Sequence, residues 1–218
     1  MFRGLILDGV TGTGKSTLFR CLRSHPCFTD VDSAVFLSQS YTLRVAPGDR
    51  IEGLLDDVLG QLEMLHGHRE ASGFARREDG RADVSFLFEG FHHYAALEHV
   101  EPEDRLRFAG DFEARLGPLG AKLVALSVSP EAVLERCVRS TLRHRGSGWR
   151  QFLTRFGDTE EDVAAYYRER QRHFLALVKT STLPVLHVDT SDVSRPGEWR
   201  AVAETIAGFH TRSEPWAA

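Results

Sequence analysis

Residues 9 to 17, GVTGTGKST, have the types and spacing needed to hold phosphate. Gly9 and Gly14, followed directly by Lys15 and Ser16, satisfy the pattern G-x-x-x-x-G-K-[ST]. Glycines let the backbone approach anionic oxygens, and N–H groups at a helix N-terminus attract them. We expect the lysine to reach the β- and γ-phosphates and the serine hydroxyl to bind Mg²⁺. The predicted nucleotide contacts in this loop are Gly9, Thr11, Gly12, Thr13, Gly14, Lys15, Ser16 and Thr17.

Two acidic residues stand at the ends of apolar segments that we predict to be strands. Asp8 closes RGLILD directly before the loop, and Glu89 closes VSFLFE. A carboxylate at the carboxyl end of a strand beside the loop can hold Mg²⁺ or accept the proton of an attacking hydroxyl. We predict that Ser16 and Glu89 bind the metal, and leave open whether Glu89 or Asp8 is the base. The alternative for Glu89 is a polar residue that only caps its strand.

A group of arginines follows the predicted helix start SPEAVLER, and its members are Arg136, Arg139, Arg143 and Arg145. The first three are spaced three and four residues apart, so an α-helix would project them from one face. Arginine clamps phosphate oxygens and neutralises charge on a transferred phosphoryl group. We predict that Arg136 contacts the nucleotide and that the others act in catalysis, with GSG at 146–148 permitting movement. The alternative is a solvated basic helix paired with Glu131 or Glu135.

Apolar runs typical of buried strands alternate with segments of helical character. The predicted strands are residues 3–8, 34–39, 84–89, 122–128 and 183–189. Helices are predicted to begin at Gly14, near Asp49, near Pro102, at Pro130 with Ser129 as its cap, near Thr159 and near Pro196. Two polar stretches with glycines, 66–83 and 143–158, are predicted loops or short mobile segments. The pattern predicts one α/β domain over residues 1–218, with a five-stranded parallel sheet between two layers of helices.

The segment LILDGVTGTGKSTLFRCL resembles the opening of thymidylate kinases and related nucleoside and nucleotide kinases, in which an acidic residue ends the first strand. Three later segments, VSPEAVLERCVRSTLRHRG, DTEEDVAAYYRERQRHFLALV and LPVLHVDTSD, are similar to that family's lid, following helix and last strand. The resemblance implies a P-loop three-layer sandwich with a lid at about 136–157. It also implies ATP as donor, Mg²⁺, and transfer of the γ-phosphoryl group to a small-molecule acceptor.

The segments expected to recognise the acceptor depart from the thymidylate kinase pattern. SQSYTLRVAPGDR stands where a T-R-E-P-like segment is usual, and FEGFHHY where D-R-[YH] is usual. Within them we predict substrate contacts by Tyr41 and Phe91 through stacking, by Arg44 through an acceptor phosphate, and by His92 through a hydrogen bond. The alternative for each of these residues is a role in packing or a position on the surface, without contact to a substrate. The adjacent histidines His92 and His93 have no further ligand at metal-binding spacing, so we expect no metal there.

The acceptor itself stays open. A nucleoside monophosphate or a nucleoside-like compound is favoured by the resemblance, and a specialised metabolite or antibiotic is the alternative. A different class of function, a regulatory ATPase that acts on a protein partner, would use the same loop without a phosphorylated small product. An inactive nucleotide-binding module is less favoured, because Lys15 and Ser16 are both intact.

Composition narrows the classes of function. The 218 residues are 42% hydrophobic and 27% charged with a formal net charge of −4, so we expect a folded protein without a broadly basic surface for a nucleic acid polymer. The opening residues MFRGLILDG do not have the pattern of a signal peptide, and no apolar run approaches the length needed to cross a bilayer, so we expect no membrane partner. Cys21, Cys27 and Cys137 lack metal-binding spacing, which favours free thiols and a cytoplasmic location. A homodimer is left open.

Overall fold

The computed structural model describes residues 1–42, 51–71, 83–145 and 147–212. Strands in these ranges are β1 (Phe2–Gly9), β2 (Ser33–Leu37), β3 (Val84–Glu89), β4 (Ala121–Ser127) and β5 (Val185–Asp189). They form one sheet in the order β2-β3-β1-β4-β5, and every neighbouring pair is parallel. The predicted five-stranded parallel sheet is confirmed, and its strand bounds differ from the predicted ones by at most two residues.

Helices connect the strands and follow the last one. They are α1 (Lys15–Arg23), α2 (Pro26–Thr29), α3 (Gln39–Thr42), α4 (Ile51–Ala71), α5 (His92–His99), α6 (Arg105–Leu116), a π-helix (Leu134–Arg139), α7 (Ser140–His144), α8 (Ser147–Leu153), α9 (Glu160–Val178) and α10 (Pro196–Thr211). A capping box between Thr159 and Asp162 begins α9 where the sequence predicts. In the described ranges, no helix is long and apolar enough to cross a membrane.

Helices cover both faces of the sheet because its strands bury alternate side chains on opposite sides. Ile6, Phe86 and Phe88 point into a core formed with α4, α5, α6 and α9. Leu7 and Leu87 point into a second core, formed with α1 and α10. This arrangement confirms the predicted three-layer α/β architecture and places the carboxyl ends of all five strands at one edge.

A third apolar cluster lies beyond that edge. It joins the π-helix and α8 to α9 through buried side chains that include Cys137, Leu153, Val163 and Tyr167. The predicted lid region therefore has a packed base of its own against α9.

Parts of two predicted loops are helical. Helix α4 continues to Ala71, so residues 66–71 of the stretch 66–83 are helix, while 72–82 lie outside the described residues. Helix α8 occupies the middle of the stretch 143–158. The sequence prediction failed there because glycine-dotted polar segments were interpreted as loops, whereas apolar contacts with α9 stabilise a short helix.

Candidate functional site

The loop between β1 and α1 has the backbone that its glycines suggest. Gly12 and Gly14 have φ angles of 88° and 94°, a region that other residues rarely adopt. Space is also limiting, since a Cβ on Gly14 would lie 2.1 Å from the ring of Trp199, and one on Gly12 would lie 2.6 Å from the carbonyl oxygen of Arg136. Both positions therefore require glycine, and the loop packs directly against the π-helix and α10.

Lys15 lies at the start of α1 with its side chain folded over the loop. Its Nζ donates to the carbonyl oxygens of Gly9 at 2.5 Å and Val10 at 3.0 Å. Burial lowers the pKa of Lys15, while the charges of Asp8 and Glu89 oppose that shift. The ammonium group is thus held inside the loop, where a bound phosphate would provide its strongest partner.

Two threonines fix the loop from behind. The hydroxyl of Thr13 donates to the carbonyl of Val10 at 2.9 Å, and the hydroxyl of Thr190, after β5, donates to the carbonyl of Thr13 at 2.9 Å. Both threonines are fully buried. Thr13 therefore holds the loop in shape.

Asp8 and Glu89, the two predicted acids, have different surroundings. Asp8 is buried, and its carboxylate accepts hydrogen bonds from the backbone N–H groups of Gly9 at 2.8 Å and Tyr94 at 3.1 Å. Burial raises its pKa, and the charge of Lys15 opposes the shift. Glu89 accepts a hydrogen bond from the hydroxyl of Ser16 and lies 3.4 Å from the backbone N–H of Gln39. Asp8 thus anchors the loop, while Glu89 and Ser16 bring together two oxygen donors of the kind Mg²⁺ prefers.

The predicted lid arginines do not share one face. Arg136 donates to the carbonyl of Val193 and lies 5.4 Å from the centre of the Trp199 ring. Arg139 pairs with Glu160, and Arg143 pairs with Glu135, in exposed ion pairs. The expectation of a single face was wrong for Arg139, because residues 134–139 form a π-helix, whose wider turn changes the angle between successive side chains.

A cavity of about 1180 Å³ connects these elements. Its walls include the loop residues Thr11, Gly12, Gly14, Lys15, Ser16 and Thr17, and the arginines Arg136, Arg143 and Arg145. The loop after β5 contributes Ser191, Asp192, Val193 and Ser194. Two predicted nucleotide contacts, Gly9 and Thr13, do not line the cavity. Arg139, one of the predicted catalytic arginines, does not line it either.

Part of the cavity wall is aromatic, a feature that is absent from the sequence-based predictions. Trp149 stacks on Phe152 with ring centres 4.6 Å apart, and Phe156 stacks on Tyr166 at 4.3 Å. Arg145 lies over Trp149, 4.0 Å from the ring centre. We call these four rings the aromatic wall. Spacings of three and four residues between Trp149, Phe152 and Phe156 are the signal that could have shown one apolar face.

The predicted acceptor contacts are placed differently. Phe91 and His92 are fully buried, and the structure places both in the core behind the end of β3 rather than in the cavity wall. Tyr41 belongs to α3 by its backbone, but its side chain, like all of Arg44, lies outside the described residues. Gln39, Tyr94 and Glu98 line the cavity on this side instead.

Comparison with known proteins supports the fold. A scan against protein-family models finds no match, and a search of curated proteins finds none either. Among solved structures, this chain is similar to the YorR protein of Bacillus subtilis in complex with phosphorylated GDP, with a TM-score of 0.51, 16% identity and 94% of each chain covered. A shikimate kinase from Acinetobacter baumannii in complex with shikimate gives a TM-score of 0.43 and 16% identity, covering 96% of this chain and 93% of that one. The similarity to YorR shows a shared fold.

Proposed function

We propose that this protein is an ATP- and Mg²⁺-dependent phosphotransferase that moves the γ-phosphoryl group to a small acceptor, within one domain whose lid spans about 136–157. The observation that carries the proposal is a single cavity lined by the phosphate loop, by arginines and by the aromatic wall. Its volume of about 1180 Å³ suits two small ligands, because one drug-sized ligand typically occupies roughly 300–1,000 Å³. A donor and an acceptor would then meet in one cavity.

The donor would bind on the side of the loop. Backbone N–H groups and Lys15 would hold its phosphates, and the short segment 191–194 together with Arg136 would border its base. The fold neighbour YorR was solved with phosphorylated GDP, which agrees with nucleotide binding in this fold. ATP is the proposed donor because the segment LILDGVTGTGKSTLFRCL resembles the opening of thymidylate kinases, and that resemblance implies ATP.

Ser16 and Glu89 would hold Mg²⁺ at the mouth of the loop. Their side-chain oxygens already contact each other, and both are hard donors suited to this ion. When bound, Mg²⁺ would neutralise part of the charge on the phosphate oxygens. Glu89 also lies 3.4 Å from the backbone N–H of Gln39, which lines the cavity, so its carboxylate is fixed between Ser16 and Gln39.

The acceptor would lie against the aromatic wall. Stacked rings bind flat ring systems, so a nucleoside monophosphate or a nucleoside-like compound is the favoured acceptor class. Arg143 and Arg145 border the same space and would stabilise negative charge on the group in transit. Arg143 must leave Glu135 to do so, and exposed ion pairs of this kind are weak enough to exchange.

The test is an acceptor screen. The full chain is incubated with ATP and Mg²⁺ and with nucleoside monophosphates, nucleosides and hydroxylated ring metabolites in turn, while ADP release and product mass are followed. We expect one ring-bearing class to gain the mass of a phosphoryl group. A product of the metabolite class alone would replace the nucleotide acceptor with the specialised one. ADP release without a phosphorylated small product, stimulated by a protein, would overturn the proposal in favour of a regulatory ATPase.

A further inference from the structure

Three titratable side chains meet in the core behind β3. His92 and His93 begin α5, and Glu113 comes from α6. The Nε2 atoms of His92 and His93 lie 3.3 Å and 3.5 Å from the same oxygen, Oε1 of Glu113. Their side chains are 0%, 1% and 2% exposed. This His-His-Glu cluster is therefore shielded from water and separate from the cavity that holds the phosphate loop.

Glu113 has the hydrogen bonds of an ionised carboxylate. Oε1 accepts from the hydroxyl of Ser181 at 2.6 Å, and Oε2 accepts from the N–H of Thr182 at 2.5 Å and from its hydroxyl at 2.9 Å. Across the described ranges, no lysine or arginine pairs with it. A buried negative charge of this kind needs a cation.

The imidazole rings have unused nitrogen atoms. Neither Nδ1 nor Nε2 of His93 has a hydrogen-bond partner among the described residues, and neither does Nδ1 of His92. Leaving such buried polar atoms unpaired costs roughly 1–3 kcal/mol each. The Nε2 atom of His93 faces the carboxylate of Glu113, so one cation between the rings and the carboxylate would satisfy both the nitrogen and the charge.

We propose that His92, His93 and Glu113 bind a divalent transition-metal ion of the zinc class. Two imidazole nitrogens and one carboxylate oxygen are a donor set that zinc takes, whereas Mg²⁺ and Ca²⁺ prefer oxygen alone. Nitrogen-to-oxygen separations of 3.3 Å and 3.5 Å fit the edges of a tetrahedron, which are roughly 3.3 Å for zinc bonds of about 2.0 Å. The hydrogen bonds from Ser181 and Thr182 would orient the carboxylate as an outer shell does.

The ion would act as a clamp behind the candidate active site. Gly90 and Phe91 alone separate Glu89 from His92 along the chain, and the N–H of Tyr94, in the same turn of α5, holds Asp8. Glu113 ties this turn to α6 and, through Ser181 and Thr182, to the segment before β5. Metal binding would therefore fix the ends of β1 and β3. The site stands independently of the proposed phosphotransfer.

The experiment measures metal directly. The untagged full chain is purified without chelators for metal analysis, then unfolded with a chelator and refolded with Co²⁺, which absorbs strongly in the visible range when held tetrahedrally. We expect roughly one zinc ion per purified chain and one tetrahedral Co²⁺ after refolding. Excess Mg²⁺ should not displace either ion. A wild-type chain with neither zinc nor a cobalt spectrum would show that a proton on histidine, not a metal, balances Glu113, and would overturn the proposal.

Variants assign the ligands. His93→Gln and Glu113→Gln are each expected to weaken Co²⁺ binding more than 100-fold, the upper range for losses caused by outer-shell changes. His210→Gln is the matched control, because His210 is equally buried but lies in a different core, beside Phe28. If one of the two ligand variants does not refold, the Co²⁺ affinity of the other variant and the cobalt spectrum of the wild type test the assignment. A cobalt spectrum unchanged in both ligand variants would also contradict the assignment.

Discussion

Lys15 is a buried cation whose ammonium group donates to the backbone carbonyls of Gly9 and Val10. We predict that Lys15→Met lowers kcat by at least about 100-fold, as loss of one preorganised charge donor does. The fold should survive, because methionine keeps most of the stem and replacing a buried charge is often neutral or stabilising. ADP release measures the first effect and thermal unfolding the second. Turnover close to the wild-type rate in a folded variant would contradict the role of Lys15 in transfer.

Arg145 and Arg139 separate two interpretations of the basic segment. Arg145 lines the cavity over Trp149, whereas Arg139 pairs with Glu160 on the exposed surface. We predict that Arg145→Ala lowers kcat by about 10²-fold with a smaller change in the KM for ATP. Arg139→Ala should leave both constants nearly unchanged, although the spacing of Arg139 in the sequence predicts a catalytic role. Steady-state kinetics of the two variants measure both constants. Equal losses of kcat would contradict the assignment of a catalytic role to Arg145 alone, which rests on its position in the cavity wall.

At the scale of elements, the phosphate loop and the π-helix form one packed unit. A methyl group on Gly12 would lie 2.6 Å from backbone atoms of Arg136 and Cys137, at a φ of 88°. We therefore predict that Gly12→Ala destabilises the protein and weakens ATP binding at least tenfold, because loop and helix must separate. Thermal unfolding and nucleotide titration measure the two effects.

Gly60→Ala is the matched control for that change. Gly60 lies within α4, and a methyl group there would meet no atom within 4 Å. Alanine in an exposed helix interior stabilises by roughly 0.5–1 kcal/mol over glycine, so this variant should unfold at a slightly higher temperature with unchanged ATP binding. Parallel behaviour of the two variants would show that crowding at Gly12 has no consequence.

The same elements show what the sequence could predict. The strands and the phosphate loop could be predicted because their signals, continuous apolar runs and the GKS triplet, are formed by residues that are neighbours along the chain. The π-helix could not be predicted, because hydrogen bonding from residue i to residue i+5 has no characteristic pattern of side chains. Its wider turn gives the arginines different partners from those that an α-helix would give them. Contacts between segments that are distant in the sequence could not be predicted either. Glu113 meets His92 and His93 only through the packing of α6 on α5, so two adjacent histidines gave no metal-binding spacing.

Across the whole molecule, sheet order explains why these groups converge. β1 is central, with β3 on one side and β4 on the other, so Asp8, Glu89 and the segment leading to the π-helix leave the same edge. Open α/β sheets bind ligands at this edge, where successive connections diverge. The crevice therefore follows from the topology of the sheet, and in the proposed function the predicted lid would select the acceptor.

Whole-molecule stability should depend on pH through His210, which joins α10 to α2 by stacking on Phe28 with ring centres 4.6 Å apart. Burial, with help from the charges of Arg3 and Lys122, lowers the pKa of His210 to about 3. In the unfolded chain its pKa is about 6.5. The unfolded state thus binds more protons between these values. The contribution of neutral His210 to the free energy of unfolding is therefore fully present above pH 6.5 and is lost as the pH falls toward 3.

We predict that lowering the pH from 7 to 4.5 costs the wild type about 2 kcal/mol more of unfolding free energy than it costs His210→Phe. Phenylalanine keeps a ring beside Phe28 and does not titrate, and all other acid-sensitive groups, including His93, remain common to both chains. Urea unfolding at several pH values measures the difference between the two proteins. Parallel pH profiles for wild type and variant would mean that His210 is not forced to stay neutral in the folded state.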